Sequence, residues 1–319
     1  MKMNLIFISD NNYIKPTAVA IRSIINNATK EKNLNFFVLG DSLTKDSISL
    51  LKNSGAKNIK IIPSETLLSD LKNLSVNRHV SHSALLKFFL PQIFKDFDKI
   101  LYLDSDILVQ KDLSELYNTD INDFYAAVIK DTLCIKNPEY MKQVKIENKF
   151  YFNSGVMLLN LRKMREDNIT EKMLLYRQTQ EQHFMDQDAF NAIIGHNVKY
   201  ISYKYNFLNY YLTIMTPSEL SEFFDEKLEK THERIYNDCA IVHLGGREKP
   251  WQEYMPILTE MYIPYAAKTY WFLPFLSDTE LLNLRNKYKF IHKITFGNTR
   301  QKFKQIYKSI IIPNKKVNK

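Results

Sequence analysis

Seven short apolar runs, separated by stretches with helix signals, constrain this chain to an α/β fold. They are "NLIFIS" (4–9), "NFFVLG" (35–40), "NIKIIP" (58–63), "KILYLD" (99–104), "YAAVIK" (125–130), "GVMLLN" (155–160) and "VKYIS" (198–202), all with strand character. The intervening stretch "KPTAVAIRSIINNA" (15–28) has a proline near its first turn. "TKDSISLLKNSG" (44–55) runs from a threonine cap to Gly55, and "QDAFNAIIG" (187–195) stops at Gly195. Strand, helix and strand repeated near the N-terminus predict a mainly parallel sheet of the nucleotide-binding type. Ligands of such sheets sit at the carboxyl ends of strands, where Asp10 and Asp104 fall.

With 319 residues, 45% of them hydrophobic, the chain has ample material for a core. Only seven glycines are present, and none forms the G-x-G-x-x-G or G-x-x-x-x-G-K-[ST] pattern. Dinucleotide-binding and P-loop chemistry therefore lose their main support. Cys134 and Cys239 have neither metal-ligand spacing nor the number for a disulfide framework, which fits a reducing compartment. The start, "MKMNLIFISDNNY", has no long apolar region, and no stretch nears the ~20 apolar residues that span a bilayer. The expectation is a cytoplasmic protein. Its net charge of +9 is unevenly placed: residues 281–319 hold eleven lysines and arginines and no acidic residue, so taking their +11 from +9 leaves −2 on the rest.

The segment "KILYLDSDILV" (99–109) sets Asp104 and Asp106 two residues apart at the end of an apolar run. Buried carboxylates are costly unless paired or bound to a cation. In an extended strand, i and i+2 point the same way, so both could address one hard ion such as Mn²⁺ or Mg²⁺. A pair of solvated turn carboxylates is the competing reading. His243, after "AIV", reads by itself first as a buried histidine bonded to backbone and only second as a ligand. "SDNNY" makes an adequate turn by itself, and "MDQDAFN" an adequate helix start with aspartate caps.

Six segments in order resemble glycosyltransferase family 8: "FISDNNY", "RHVS" (78–81), "DKILYLDSDILV", "FNSGVMLLNL" (152–161), "DQDAFN" (186–191) and "HLGGREKPW" (243–251). The resemblance implies a GT-A fold over 1–270, a single nucleotide-sugar-binding domain with a mainly parallel sheet, followed by a basic helical extension over 271–319. It implies a retaining enzyme that uses a UDP-sugar. Asp104, Asp106 and His243 resemble the family's metal ligands, with Mn²⁺ favoured over Mg²⁺ because one ligand is imidazole. On the donor side the matching positions are Asp10, Asn12, His79, Lys87, Ser105, Asn153, Ser154, Gly246 and Lys249. Asp10 and Asn12 would bond uracil and ribose, and Asn153 and Ser154 would line the sugar. Gly245 and Gly246 would let backbone approach the diphosphate, Lys249 would place charge on it, and Gly155 would let the chain turn into its strand. Lys87 stands where the family usually has arginine, keeping the charge but losing the bidentate fork.

Asp131 and Asp186 match positions that hold sugar hydroxyls. Gln187 matches the residue facing the anomeric carbon opposite UDP, and Asp188 a neighbouring carboxylate considered as a nucleophile. A neutral amide is a poor nucleophile, so a front-face route is expected, with the Gln187 carbonyl oxygen stabilising positive charge. The implied product is a cell-envelope glycan, lipopolysaccharide or lipooligosaccharide, with galactose the first donor sugar and glucose the second. A glycoprotein acceptor is the alternative, and a sugar-phosphate nucleotidyltransferase a weaker one, lacking its glycine-rich loop. Acceptor residues are expected between about 203 and 240, around "YKYNFLNYYL". The basic, aromatic tail suits an anionic membrane surface and a lipid-linked acceptor. With a near-neutral body and no nucleic-acid module, no nucleic-acid partner is expected. The expected location is peripheral, on the inner face of the cell membrane.

Overall fold

The structure, a computed structural model, describes residues 2–40, 42–64, 82–146, 150–179, 184–252, 255 and 257–269. His79 and the basic tail lie outside the described residues. Two compact units divide at Gly245 and Gly246.

The first unit is built on a seven-stranded sheet of order β3-β2-β1-β4-β7-β6-β8. Its strands are β1 (Met3–Ser9), β2 (Leu34–Gly40), β3 (Ile59–Pro63), β4 (Lys99–Leu103), β6 (Ala126–Asp131), β7 (Tyr151–Asn160) and β8 (Val198–Tyr200). They coincide with the seven apolar runs. The sheet is mainly parallel, and β7 alone runs against both its neighbours, β4 and β6. A second sheet of three short strands has the order β5-β10-β9, with β5 at Ile107–Val109, β9 at Phe207–Leu208 and β10 at Ile241–His243. Two or three residues are too few to show a period, so these strands had no signal in the sequence.

Both faces of the large sheet are covered. Leu5, Phe7, Leu101 and Leu103 join Ile14, Ile21 and Ile24 of helix α1 (Ile14–Asn27) in one cluster. Ile6, Ile8, Ile100 and Tyr102 point the other way, into a cluster with Phe88, Met173, Phe190 and Ile194. This alternation explains why the central runs at β1 and β4 are nearly all apolar, with no polar side to leave in water. Helix α2 (Lys45–Lys52) starts at Thr44, whose hydroxyl accepts from the Ser47 amide, as the sequence suggested. The chain leaves it through Gly55 at φ 93°, in the left-handed region.

In the second unit, a helix at Leu258–Ala266 packs Tyr262 on Trp251, ring centroids 5.3 Å apart. Lys249 is buried there, its Nζ 5.7 Å from the Trp251 ring. Gly246 has φ 86°, and an added Cβ would meet nothing within 4 Å, so backbone conformation is what favours glycine there. Among the described residues no helix is long and apolar enough to cross a membrane.

Candidate active site

The two aspartates converge through a turn and not through strand alternation. β4 ends at Leu103, residues 104–106 turn, and β5 begins at Ile107. β5 then pairs antiparallel with β10, setting Ile107 opposite His243, and the Leu244 amide donates to the Asp106 carbonyl at 2.8 Å. Asp104 is tied to β7 by its amide, which donates to the Gly155 carbonyl at 2.7 Å. Ser105, between them, is buried: its hydroxyl lies 2.8 Å from that of Thr17 and 3.3 Å from the Ile8 carbonyl. The Ser105 side chain thus anchors the turn against β1 and α1.

Asp104, Asp106 and His243 form a cluster whose ligand atoms all lie within 4.8 Å of one another. His243 Nε2 is 3.2 Å from Asp106 Oδ1 and 3.8 Å from Asp104 Oδ2. Asp104 Oδ1 is engaged elsewhere, accepting from the Tyr102 hydroxyl at 2.6 Å and from Lys87 Nζ at 3.2 Å. That leaves Oδ2 as a single outward oxygen. Two carboxylates and one imidazole, all within 4.8 Å of one another, suit a six-coordinate divalent cation that keeps other positions for ligands. The residues fit such an ion.

Gly155 explains how the cluster closes. It lies in the middle of β7, not at a turn, and there corrects the sequence expectation. A Cβ on it would collide with the His243 ring and come within 2.7 Å of Asp104 Oδ2. Glycine is required here for close approach.

Lys87 links this cluster to the helix Met185–Ile194. Buried to 5% exposure, it reaches Asp186 Oδ2 at 2.7 Å as well as Asp104, with its Nζ 4.7 Å from the Tyr102 ring centroid. Burial alone would lower its pKa, but Asp104 and Asp186 outweigh that and raise it above the ordinary lysine value. Burial first, then Asp104, likewise raises the Tyr102 hydroxyl. Asp186 also accepts from the Ser154 hydroxyl at 2.9 Å.

Amides connect the rest. Gln187 Oε1 accepts from the Ser154 amide at 3.0 Å and from Asn153 Nδ2 at 2.9 Å. The carbonyl oxygen expected to face a sugar is thus turned toward β7, with both acceptor positions filled. Asn153 Nδ2 also lies 3.3 Å from Asp131 Oδ2, the buried last residue of β6. Burial raises the Asp131 carboxyl, against lowering contacts from the Leu133 amide, Asn153 and Tyr210.

Asp188 departs from expectation. It is wholly buried, with the Tyr140 hydroxyl and the Tyr151 hydroxyl (2.6 Å) on its carboxylate and the Phe184 amide at 3.0 Å. Burial raises its pKa despite those donors. A carboxylate with both oxygens engaged and no exposure anchors its helix and does not meet a substrate. No aspartate sits at the N-cap position of this helix, which is Phe184; Asp188 instead takes the Phe184 amide, and Asp186 turns to Lys87.

At the end of β1, Asp10 Oδ1 accepts from the amides of Asn12 (2.9 Å) and Tyr13 (3.0 Å), starting α1. Tyr13, whose amide Asp10 holds, lies where Asp10, Asp104 and Asp106 all act on its hydroxyl. Burial and then Asp106, Asp10 and Asp104 raise the Tyr13 hydroxyl, although the ring is 40% exposed. Sequence reading missed Tyr13, Tyr102 and Asn206. Only Tyr13 carried a signal, as an aromatic closing "FISDNNY". Gly245, which ends the first unit, would bring a Cβ within 3.1 Å of Leu208 Cδ2. Gly246 and Lys249 belong to the second unit.

The description Glycosyl transferase family 8 matches the chain over residues 4–254. A glycosyltransferase of Haemophilus influenzae is 33% identical over 210 residues, 64% of this chain and 63% of that protein. The chain thus spans less than two thirds of that relative. A lipopolysaccharide 1,2-glucosyltransferase of Escherichia coli is 30% identical over 253 residues, 77% of this chain and 72% of that one. The crystal structure of galactosyltransferase LgtC with donor and acceptor sugar analogues superposes with a TM-score of 0.71 at 24% identity, over 87% of this chain and 98% of that one. This last likeness is one of fold.

Proposed function

This chain belongs to glycosyltransferase family 8 and has the GT-A fold, and from that premise we propose that it moves a hexose from a UDP-sugar to a saccharide of the cell envelope with retention at the anomeric carbon. The observation that carries the reading is the convergence of Asp104, Asp106 and His243 beside the Lys87–Asp186 ion pair. Galactose is the first donor sugar and glucose the second. The acceptor is a lipid-linked saccharide of lipopolysaccharide or lipooligosaccharide type, a reading supported by the E. coli relative.

Asp104, Asp106 and His243 would hold Mn²⁺, which when bound supplies charge to a departing diphosphate. Asp10, Asn12 and the exposed Tyr13 ring take the nucleoside. Asp186, held by Lys87 and Ser154, and Asp131, held by Asn153, accept hydrogen bonds from sugar hydroxyls. Gln187 supplies a fixed amide beside them. Asp131, Asp186 and Asp188 each already accept from protein donors, and Asp188 is sealed by two tyrosines. That supports a front-face route: the acceptor hydroxyl attacks on the side UDP leaves, and its proton passes to the departing phosphate oxygen. Lys249 adds positive charge for the leaving group. The basic tail holds the enzyme to the anionic inner face of the membrane, near its acceptor.

The test is release of UDP from UDP-galactose and UDP-glucose without acceptor, in Mn²⁺ or in EDTA, alongside Asp104→Ala. Mn²⁺-dependent release from one donor, absent in the variant, is the expected result. Absence of both turnover and donor binding in Mn²⁺ would sink the reading.

A further inference from the structure

His243 can offer Nε2 to a cation only if its proton sits on Nδ1. Five hydrogen bonds decide where that proton is. The Gly155 backbone N–H can only donate, and it lies 2.9 Å from a side-chain atom of Asn153, so that atom is the amide oxygen. The Ser154 backbone N–H identifies Gln187 Oε1 in the same way, and the other end of Asn153, its NH₂, meets that oxygen at 2.9 Å. Asn153 is therefore oriented from both ends. Asn206 stands 2.9 Å from Asn153 Oδ1, so it must present its NH₂ there. Its own oxygen then faces His243 Nδ1 at 2.9 Å, and an oxygen acceptor requires N–H on that nitrogen.

The consequence lies on the opposite side of the ring. In the neutral ring Nε2 then keeps its lone pair and faces Asp106 Oδ1 at 3.2 Å, acceptor against acceptor, an arrangement that a shared cation relieves. Asn206 is fully buried and immediately precedes β9, whose pairing with β10 sets Phe207 opposite Val242 and so holds Asn206 against the histidine.

We infer that Asn206, locked by Asn153, is a positioning residue that holds His243 as the Nδ1–H tautomer and so aims Nε2 into the metal cluster. The inference rests on the reading of that cluster as a metal site. Loss of the Asn206 oxygen frees the ring to rotate or change tautomer, and such partners are typically worth about 10–100-fold in metal affinity. An aspartate at this position still accepts from Nδ1–H, although it cannot donate to Asn153.

The experiment has two parts on the full chain. Mn²⁺ is titrated into wild type, Asn206→Ala and Asn206→Asp, with free Mn²⁺ read by electron paramagnetic resonance and folding checked by circular dichroism. Separately, ¹⁵N-histidine NMR of metal-free wild type reads the His243 tautomer, with the signal assigned by its loss in His243→Gln. Expected are an Nδ1–H signature, binding weakened about 10–100-fold in Asn206→Ala, and most of it recovered in Asn206→Asp. A proton on Nε2, wild-type affinity in Asn206→Ala, or equal losses in both variants overturns the inference. Should Asn206→Ala fail to fold, the wild-type tautomer decides. Wild type that binds no Mn²⁺ removes the metal reading and this inference together, whereas binding unchanged by the alanine removes only the role of Asn206.

Discussion

At the scale of single residues, two buried positions carry the site. Gly155 is the point where β7, Asp104 and His243 meet, and an added methyl would occupy the cluster itself. Gly155→Ala should weaken Mn²⁺ binding about 100-fold or abolish it, read by the same titration, because the ligands must part to admit the Cβ. Lys87 is sandwiched between Asp104 and Asp186. Lys87→Met leaves two carboxylates facing one another with no cation, and such a loss costs about 3 kcal/mol, measurable by urea unfolding. Mn²⁺ should restore part of that stability by neutralising Asp104, and a variant that Mn²⁺ does not help would argue against the shared site. The sequence showed Lys87 as a departure from a family arginine. It could not show that a single Nζ reaches both carboxylates, because that depends on Phe88 and Leu90 packing their segment under the sheet.

At the scale of elements, the two sheets behaved differently under sequence reading. Every strand of the large sheet was visible, the central ones because burial on both faces forces a continuous apolar run and the edge strands β3 and β8 through their β-branched and aromatic residues. The reversal of β7 was not, since an apolar run carries no direction. "FNS" looked like a loop before a strand, yet Tyr151–Asn160 is strand throughout, so Asn153 and Ser154 sit on a rigid element. Asp112 shows a smaller device of the same kind. It accepts from the Ser114 amide at 2.7 Å and from the Thr29 amide, fastening the segment after β5 to the chain leaving α1. Burial opposes the charge, but these bonds prevail and push its pKa down to about 2 from 3.8. Its stabilisation is present above the unfolded value near 3.8 and is lost as pH falls toward 2. Asp112→Ala should cost about 1.5 kcal/mol at neutral pH, and the gap to wild type should close between pH 4 and pH 2 in urea titrations. A gap that persists at pH 2 would mean packing, not charge, holds the junction.

At the scale of the whole molecule, charge is the organising contrast: a body near neutrality and a tail of eleven basic residues. Removing residues 271–319 should leave Mn²⁺-dependent UDP release within about two-fold while abolishing sedimentation with vesicles of anionic lipid. The wild-type interaction, worth roughly 1 kcal/mol per basic residue near the surface, should weaken with salt. Tail-deleted protein that still sediments would place membrane contact in the body. By itself, the sequence determined the α/β class, the strands of the main sheet, the aspartate pair and the order of its family segments, because each is written in local pattern. Only the tertiary structure decided which residues share the site. The turn between β4 and β5, the antiparallel pairing of β5 with β10, and the β9 register bring Asp104, Asp106, His243 and Asn206 together. It also decided that Asp188 is sealed and that three amides point one way. Contacts across strands and hydrogen-bond direction depend on register and packing, which local propensity does not encode.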